Sequence, residues 1–193
     1  MKNDPQPWTI LHSEYLIRRP WLTARRDHVR LPDGTENPEH YVLEYPDWVN
    51  VIARTRDGHF VLIRQYRHGL RQTAYEVCAG CIDPEDASPE VAARRELMEE
   101  TGYGGGTWKL LTVICGNPST TNNLTYCFVA EGVEKLSSHT LKPQRTSPST
   151  CSRRKNSCAS CSTTKSNKPS WLPPCGNIFT WRTALSRISC NFA

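Results

Sequence analysis

The sequence predicts an α/β protein: strand-like segments lie on either side of one helix, and short antiparallel strands come first. Three observations carry this. Apolar and β-branched residues recur in short runs between Pro and Asp-Gly turn signals. The stretch from 89 to 101 alone combines helical apolar spacing with a marked start and a marked end. At 193 residues without an internal period, the chain is the size of one ordinary domain.

The elements follow in order. YLIRR, WLTARRDHVRL and HYVLEY mix β-branched and aromatic residues with polar ones and read as antiparallel strands. WVNVIART and HFVLIRQYR are joined across Arg56-Asp57-Gly58, and Asp-Gly between two apolar runs signals a hairpin. AYEVCAG is a third strand running into a turn. The helix has Ser88 as N-cap, Pro89 at its first position, Glu90 in its first turn and Gly102 just past its end. Its apolar members Val91, Ala92, Leu97 and Met98 leave the carboxylates on other sides of the cylinder. KLLTVIC and LTYCFVAEG complete the sheet, with the polar loop GNPSTTNN between them.

On that helix Glu96 and Glu100 are four apart and Glu99 is three from Glu96, which brings their Cβ atoms within about 5–6 Å on one side. A solvated acidic face is the bland reading of such a run. The turn at Ala79-Gly80 supplies another, because its backbone carbonyls can point at the same volume and make an oxygen cage for a hard divalent cation, which in turn bridges phosphate groups.

GCIDPEDASPEVAARRELMEETGY resembles the Nudix box, GX5EX7REUXEEXGU with U aliphatic. Arg95, Glu96, Leu97, Glu99, Glu100 and Gly102 fill every specified position of REUXEEXG, and Tyr103 stands where an aliphatic residue is usual. The first half departs from the pattern: Gly80 and Arg95 lie fifteen apart instead of fourteen, so that counting forward puts Asp86 at the first acidic position and counting back puts Ala87 there. The resemblance implies an α/β/α sandwich with a mixed sheet. It also implies a Mg²⁺ or Mn²⁺ cofactor held by Glu96, Glu99, Glu100 and the Ala79 carbonyl, the glutamates being the catalytic set. Gly80, Arg95 and Gly102 would be structural, Arg95 by ion pairing with the glutamates.

RQYRHGLRQTAYEVCAG is similar to the stretch before the box in ADP-ribose and sugar-nucleotide pyrophosphatases. This implies a nucleoside-diphosphate substrate approached by Arg64, Arg67 and Glu76, an Arg fork being suited to a diphosphate. A strand-surface charge is the plainer reading of each. Asn122 and Asn123 are either turn formers or contacts for ribose or base edges. The subgroup implies a homodimer through the N-terminal strands. It also implies a further acid from a loop after the box, where this chain has none between Glu100 and Glu131. The two functions to be told apart are therefore a pyrophosphohydrolase and a Nudix-like binding protein or truncated hydrolase without turnover.

Charge divides the chain. Residues 1–138 hold 15 Lys and Arg against 19 Asp and Glu, whereas residues 139–193 hold nine Lys and Arg and no acid. The net charge of +5 thus belongs to the tail and names no nucleic-acid partner for the body. Cys158 and Cys161 form a CxxC without the second pair that zinc needs. No apolar run approaches the roughly 18 residues of a membrane helix, and the polar start MKNDPQPW lacks a signal peptide's apolar stretch, so a cytoplasmic protein without a membrane partner is expected. The expected organisation is N-terminal strands over 1–45, a Nudix hydrolase domain over 46–138, and a basic Cys/Ser/Thr-rich tail over 139–193. The tail reads as disordered or as the product of a shifted frame: from the third base of each codon, HTLKPQRTSP admits His-Leu-Glu-Ala-Ala-Glu-Asp-Ile, with the acids the tail lacks.

Overall fold

The computed structural model describes residues 4–137 and, for the backbone, 145–151. The remaining tail, with the CxxC and most of the segment assigned to a shifted frame, lies outside the described residues.

Strands β1 (Thr9–Arg19), β2 (Leu22–Arg30) and β3 (Glu36–Glu44) form an antiparallel meander in the order β1-β2-β3. Gly34 makes the β2–β3 turn at φ 88°, a left-handed conformation that glycine takes without steric cost. Asp27 is buried and satisfied, accepting from the Ser13 hydroxyl at 2.7 Å and from Arg25 Nε at 2.9 Å.

The second sheet contains β4 (Trp48–Thr55), β5 (Phe60–Arg67), β6 (Gln72–Glu76), β7 (Cys78–Cys81), β8 (Tyr103–Gly104), β9 (Thr107–Ile114), β10 (Thr125–Lys135) and β11 (Arg145–Cys151). β10 runs parallel to β4 and antiparallel to β9, so the sheet is mixed as expected. The Asp57-Gly58 hairpin forms, but β4 and β5 pair only at Ala53↔Val61 and Arg54↔Phe60. Beyond that they splay. The chain from 72 to 81 enters between them: β6 pairs with β5, and after Val77 β7 pairs with β4. The segment read from the sequence as one strand is therefore two, because it changes partner. β11 pairs with the other edge of β5, so strand pairing extends into a segment read as lacking periodicity; ladder bonds use main-chain groups and need no apolar alternation.

Helix α1 (Pro89–Thr101) covers one face of this sheet and is the one α-helix among the described residues. Val49, Val51, Ala53, Val61, Cys78, Phe128 and Ala130 from the strands form its buried cluster with Ala92, Ala93 and Leu97. Val91, expected to be apolar and inward, is exposed. The buried stripe is shifted round the helix, and it carries Glu100 and Thr101 inward with it.

Candidate active site

Local chemistry fixes α1 at both ends. The Ser88 hydroxyl accepts from the Val91 N–H at 3.3 Å, Pro89 needs no donor in the first turn, and Gly102 (φ 71°) donates its N–H to the Met98 carbonyl at 2.8 Å. The helix so placed packs over β7, and two of its glutamates meet the Ala79-Gly80 turn. Glu100 is 3% exposed, and its Oε2 accepts from the Ala79 N–H at 3.3 Å. Glu96 lies directly over Gly80: a Cβ at that position would overlap the carboxylate. A side chain there would oblige the Glu96 carboxylate to move. The sequence reading brought Ala79 to the site through its carbonyl, whereas the contact seen is through its N–H.

Arg95 is the hub. Its guanidinium reaches Asp86 twice (Nε–Oδ1 3.1 Å, Nη2–Oδ2 2.7 Å), Asp83 at 3.1 Å, Glu96 at 2.9 Å, Glu99 at 3.6 Å and the Cys81 carbonyl at 3.0 Å. Asp86, whose position in the box was ambiguous on the sequence, is the acid that grips it: the Asp86 side chain is 6% exposed and also accepts from the Asp83 N–H at 2.9 Å. Arg95 holds the Asp86 carboxyl below the usual range, with the Asp83 N–H as a second cause. Asp86 in turn pushes the guanidinium further up. Burial, with help from Glu96, raises the Cys81 thiol, which is the reverse of what a reactive thiolate needs.

Arg95 thus stands among Asp83, Asp86, Glu96 and Glu99, with Glu100 held separately by the Ala79 N–H. Among the described residues no group of three His, Cys, Asp or Glu is arranged as a finished metal cage. The carboxylates are assembled, but through protein donors.

The three residues expected near substrate separate. Alternation along β5 puts Ile63, Gln65 and Arg67 on the α1 face with Val61, and Glu76 stands opposite Ile63 on that same face. There Arg67 Nη2 meets Glu76 Oε2 at 2.6 Å, and Gln65 Nε2 donates to the same oxygen at 3.0 Å. Arg64 is on the other face, its guanidinium 5.8 Å from the Tyr75 ring centroid. Asn122 and Asn123, read as turn formers or base contacts, serve the chain itself. The Asn122 Oδ1 accepts from the Tyr45 N–H at 3.2 Å, and the buried Asn123 donates to the Pro46 carbonyl at 3.2 Å. Partners 77 residues away leave no mark on local sequence.

Two family models match the chain: a nucleoside diphosphate sugar hydrolase N-terminal domain over residues 8–43 and a NUDIX domain over residues 44–150. The chain belongs to the NUDIX family. An ADP-ribose pyrophosphatase of Mycobacterium tuberculosis is 29% identical to it over 126 residues, 65% of this chain and 60% of that protein. One of Bacillus subtilis is 31% identical over 110 residues, 57% of this chain and 58% of that protein. The chain therefore spans about 60% of the length of these relatives. A crystal structure of an ADP compounds hydrolase superposes with a TM-score of 0.66 at 25% identity, covering 77% of this chain and 79% of that one. The NUDIX match contains the whole carboxylate cluster and the Arg67–Glu76 pair, and the N-terminal match coincides with the β1–β3 meander.

Proposed function

We propose that the protein is a metal-dependent pyrophosphohydrolase acting on a nucleoside diphosphate joined to another moiety, with ADP-ribose, cleaved to AMP and ribose 5-phosphate, or a nucleotide sugar as substrate. The observation that carries this is the carboxylate cluster of α1, with Glu100 buried and Glu96 lying over a glycine that leaves room for it. Its donor set is all oxygen, which suits a hard divalent cation, Mg²⁺ or Mn²⁺. Glu96, Glu99 and Glu100 are the residues proposed to hold it. When bound, the cation supplies positive charge to the diphosphate.

The chain's own groups have separate parts in this reading. Glu100, fixed by the Ala79 N–H, and Glu96, fixed over Gly80, present their carboxylates from a rigid element, as a preorganised site requires. Arg95 keeps mutually repelling acids together until the ion shares that task. Arg67, which shares the α1 face and pairs with Glu76, is the arginine proposed to meet the substrate's phosphates, with Glu76 proposed to orient it. The net reaction adds water across the P–O–P linkage: a P–O bond forms to the water oxygen, the bridging P–O bond breaks, and the products share the water's protons.

The relatives named ADP-ribose pyrophosphatase support the substrate class. A homodimer through the N-terminal sheet is part of the proposal, since Trp8, Ile10, Leu16 and Trp21 are exposed there, Trp21 by 87%, and an apolar surface of that kind favours association. So is a cytoplasmic setting, in keeping with Cys78, Cys81, Cys115 and Cys127 as free thiols. No helix among the described residues is long and apolar enough to cross a membrane.

One observation favours binding without turnover. The only acids after Glu100 are Glu131 and Glu134, and they pair with Arg54 at 3.5 Å and Arg56 at 2.8 Å. Incubation with ADP-ribose and Mg²⁺ decides between the two readings. Release of AMP that stops on chelation supports hydrolysis; saturable ADP-ribose binding without AMP would establish the alternative.

A further inference from the structure

We propose that Asp47 is a positioning residue for the carboxylate site, tying the loop over 115–124 and the β7–α1 loop to the start of β4. The inference rests on the metal-site reading above. Trp48 is the residue at which β4 meets both neighbours, pairing with Cys81 of β7 and with Thr125 of β10. Asp47 extends both ladders by one bond. Its main-chain carbonyl accepts from the Ile82 N–H at 2.8 Å, and its side-chain Oδ1 accepts from the Leu124 N–H at 2.7 Å. The Trp48 N–H closes the second link on the Leu124 carbonyl at 2.8 Å.

What hangs from these bonds is the site's support. Ile82 directly precedes Asp83 and directly follows Cys81, whose side chain and carbonyl respectively grip Arg95 at 3.1 and 3.0 Å. Three residues further on is Asp86, which completes the turn by accepting from the Asp83 N–H. On the other side, the 115–124 loop is itself anchored to the end of β3 and the linker after it: the Leu43 N–H of β3 donates to the Thr120 carbonyl at 2.7 Å, and Asn122 and Asn123 add the contacts to Tyr45 and Pro46. One residue therefore fixes, with two of its oxygens, the loop carrying Arg95's acidic partners and the loop carrying the linker's anchors. Without the side-chain link, the Trp48 N–H bond to the Leu124 carbonyl is left to hold the 115–124 loop at the start of β4, and the loosening reaches Ile82 through the main-chain bond of Asp47.

The test compares the full-length parent with Asp47→Ala and Asp47→Asn. Asparagine keeps an Oδ1 that accepts from Leu124, and alanine does not. Amide hydrogen exchange is read at Leu124 and over 82–86, and Mn²⁺ affinity is read from the free-ion electron paramagnetic resonance signal, both well below thermal unfolding. Asp47→Ala is expected to speed exchange at both places by at least about fivefold and to weaken Mn²⁺ by about tenfold, as loss of a supporting contact does at metal sites. Asp47→Asn is expected to stay within about twofold of the parent in both. Parent-like exchange over 82–86 in Asp47→Ala overturns the link, as does loosening confined to Leu124. Faster exchange over 82–86 with unchanged Mn²⁺ affinity overturns the positioning role. A parent that binds no Mn²⁺ overturns the metal reading itself, and the exchange data then still decide the link.

Discussion

Asp86 and Gly80 show what single residues do in this site. Asp86 is held below its ordinary range by Arg95, so its stabilising contribution is complete above the unfolded value of about 4 and is lost as pH falls through the lower folded value. Asp86→Asn removes that titration. Acid unfolding followed by circular dichroism should show the parent losing more stability than the variant between about pH 5 and about pH 2. Gly80→Ala places a methyl group on the Glu96 carboxylate, and urea denaturation should show a loss of about 1–3 kcal/mol, the usual cost of overfilling a packed site. The glutamates were legible in the sequence because helical spacing alone brings Glu96, Glu99 and Glu100 together. Asp86 was not, because the extra residue in its loop leaves two ways of counting, and only the folded turn chooses between them.

At the scale of elements, α1 is the part written most completely into local sequence. Ser88, Pro89 and Gly102 each act where the chemistry of helix ends places them, and the observed span coincides with the expected one. Ser88→Ala should destabilise the protein by about 1 kcal/mol in equilibrium unfolding without changing which face of the helix is buried. The hairpin at Asp57-Gly58 was equally legible, since Gly58 adopts φ 88°. The partner change at Val77 was not, because nothing in AYEVCAG records that β4 and β5 splay to admit it. Nor was the rotation of α1 that buries Glu100 and exposes Val91, in which the helix turns its small residues Ala92 and Ala93 inward and Glu96 lies over Gly80.

At the scale of the molecule, the described residues leave one flank of the sheet uncovered. Leu110, Leu111, Val113 and Ile114 of β9 are all exposed, and each Å² of apolar surface kept out of water contributes about 25 cal/mol. This sharpens the expectation drawn from the charge division at Ser138. Restoring the alternative frame after that residue should raise the thermal midpoint and ADP-ribose turnover above those of the chain as it stands. Equal midpoints and equal turnover would show that the basic tail is native.

Hydrolysis is proposed to depend on an ion bound by the α1 carboxylates. Glu100→Gln and Glu96→Gln exchange an anionic oxygen for a neutral amide at nearly constant shape, and AMP release from ADP-ribose with Mg²⁺ measures the consequence. kcat/KM is expected to fall at least about tenfold in each variant while the fold persists. Activity within about threefold of the parent in both would contradict it.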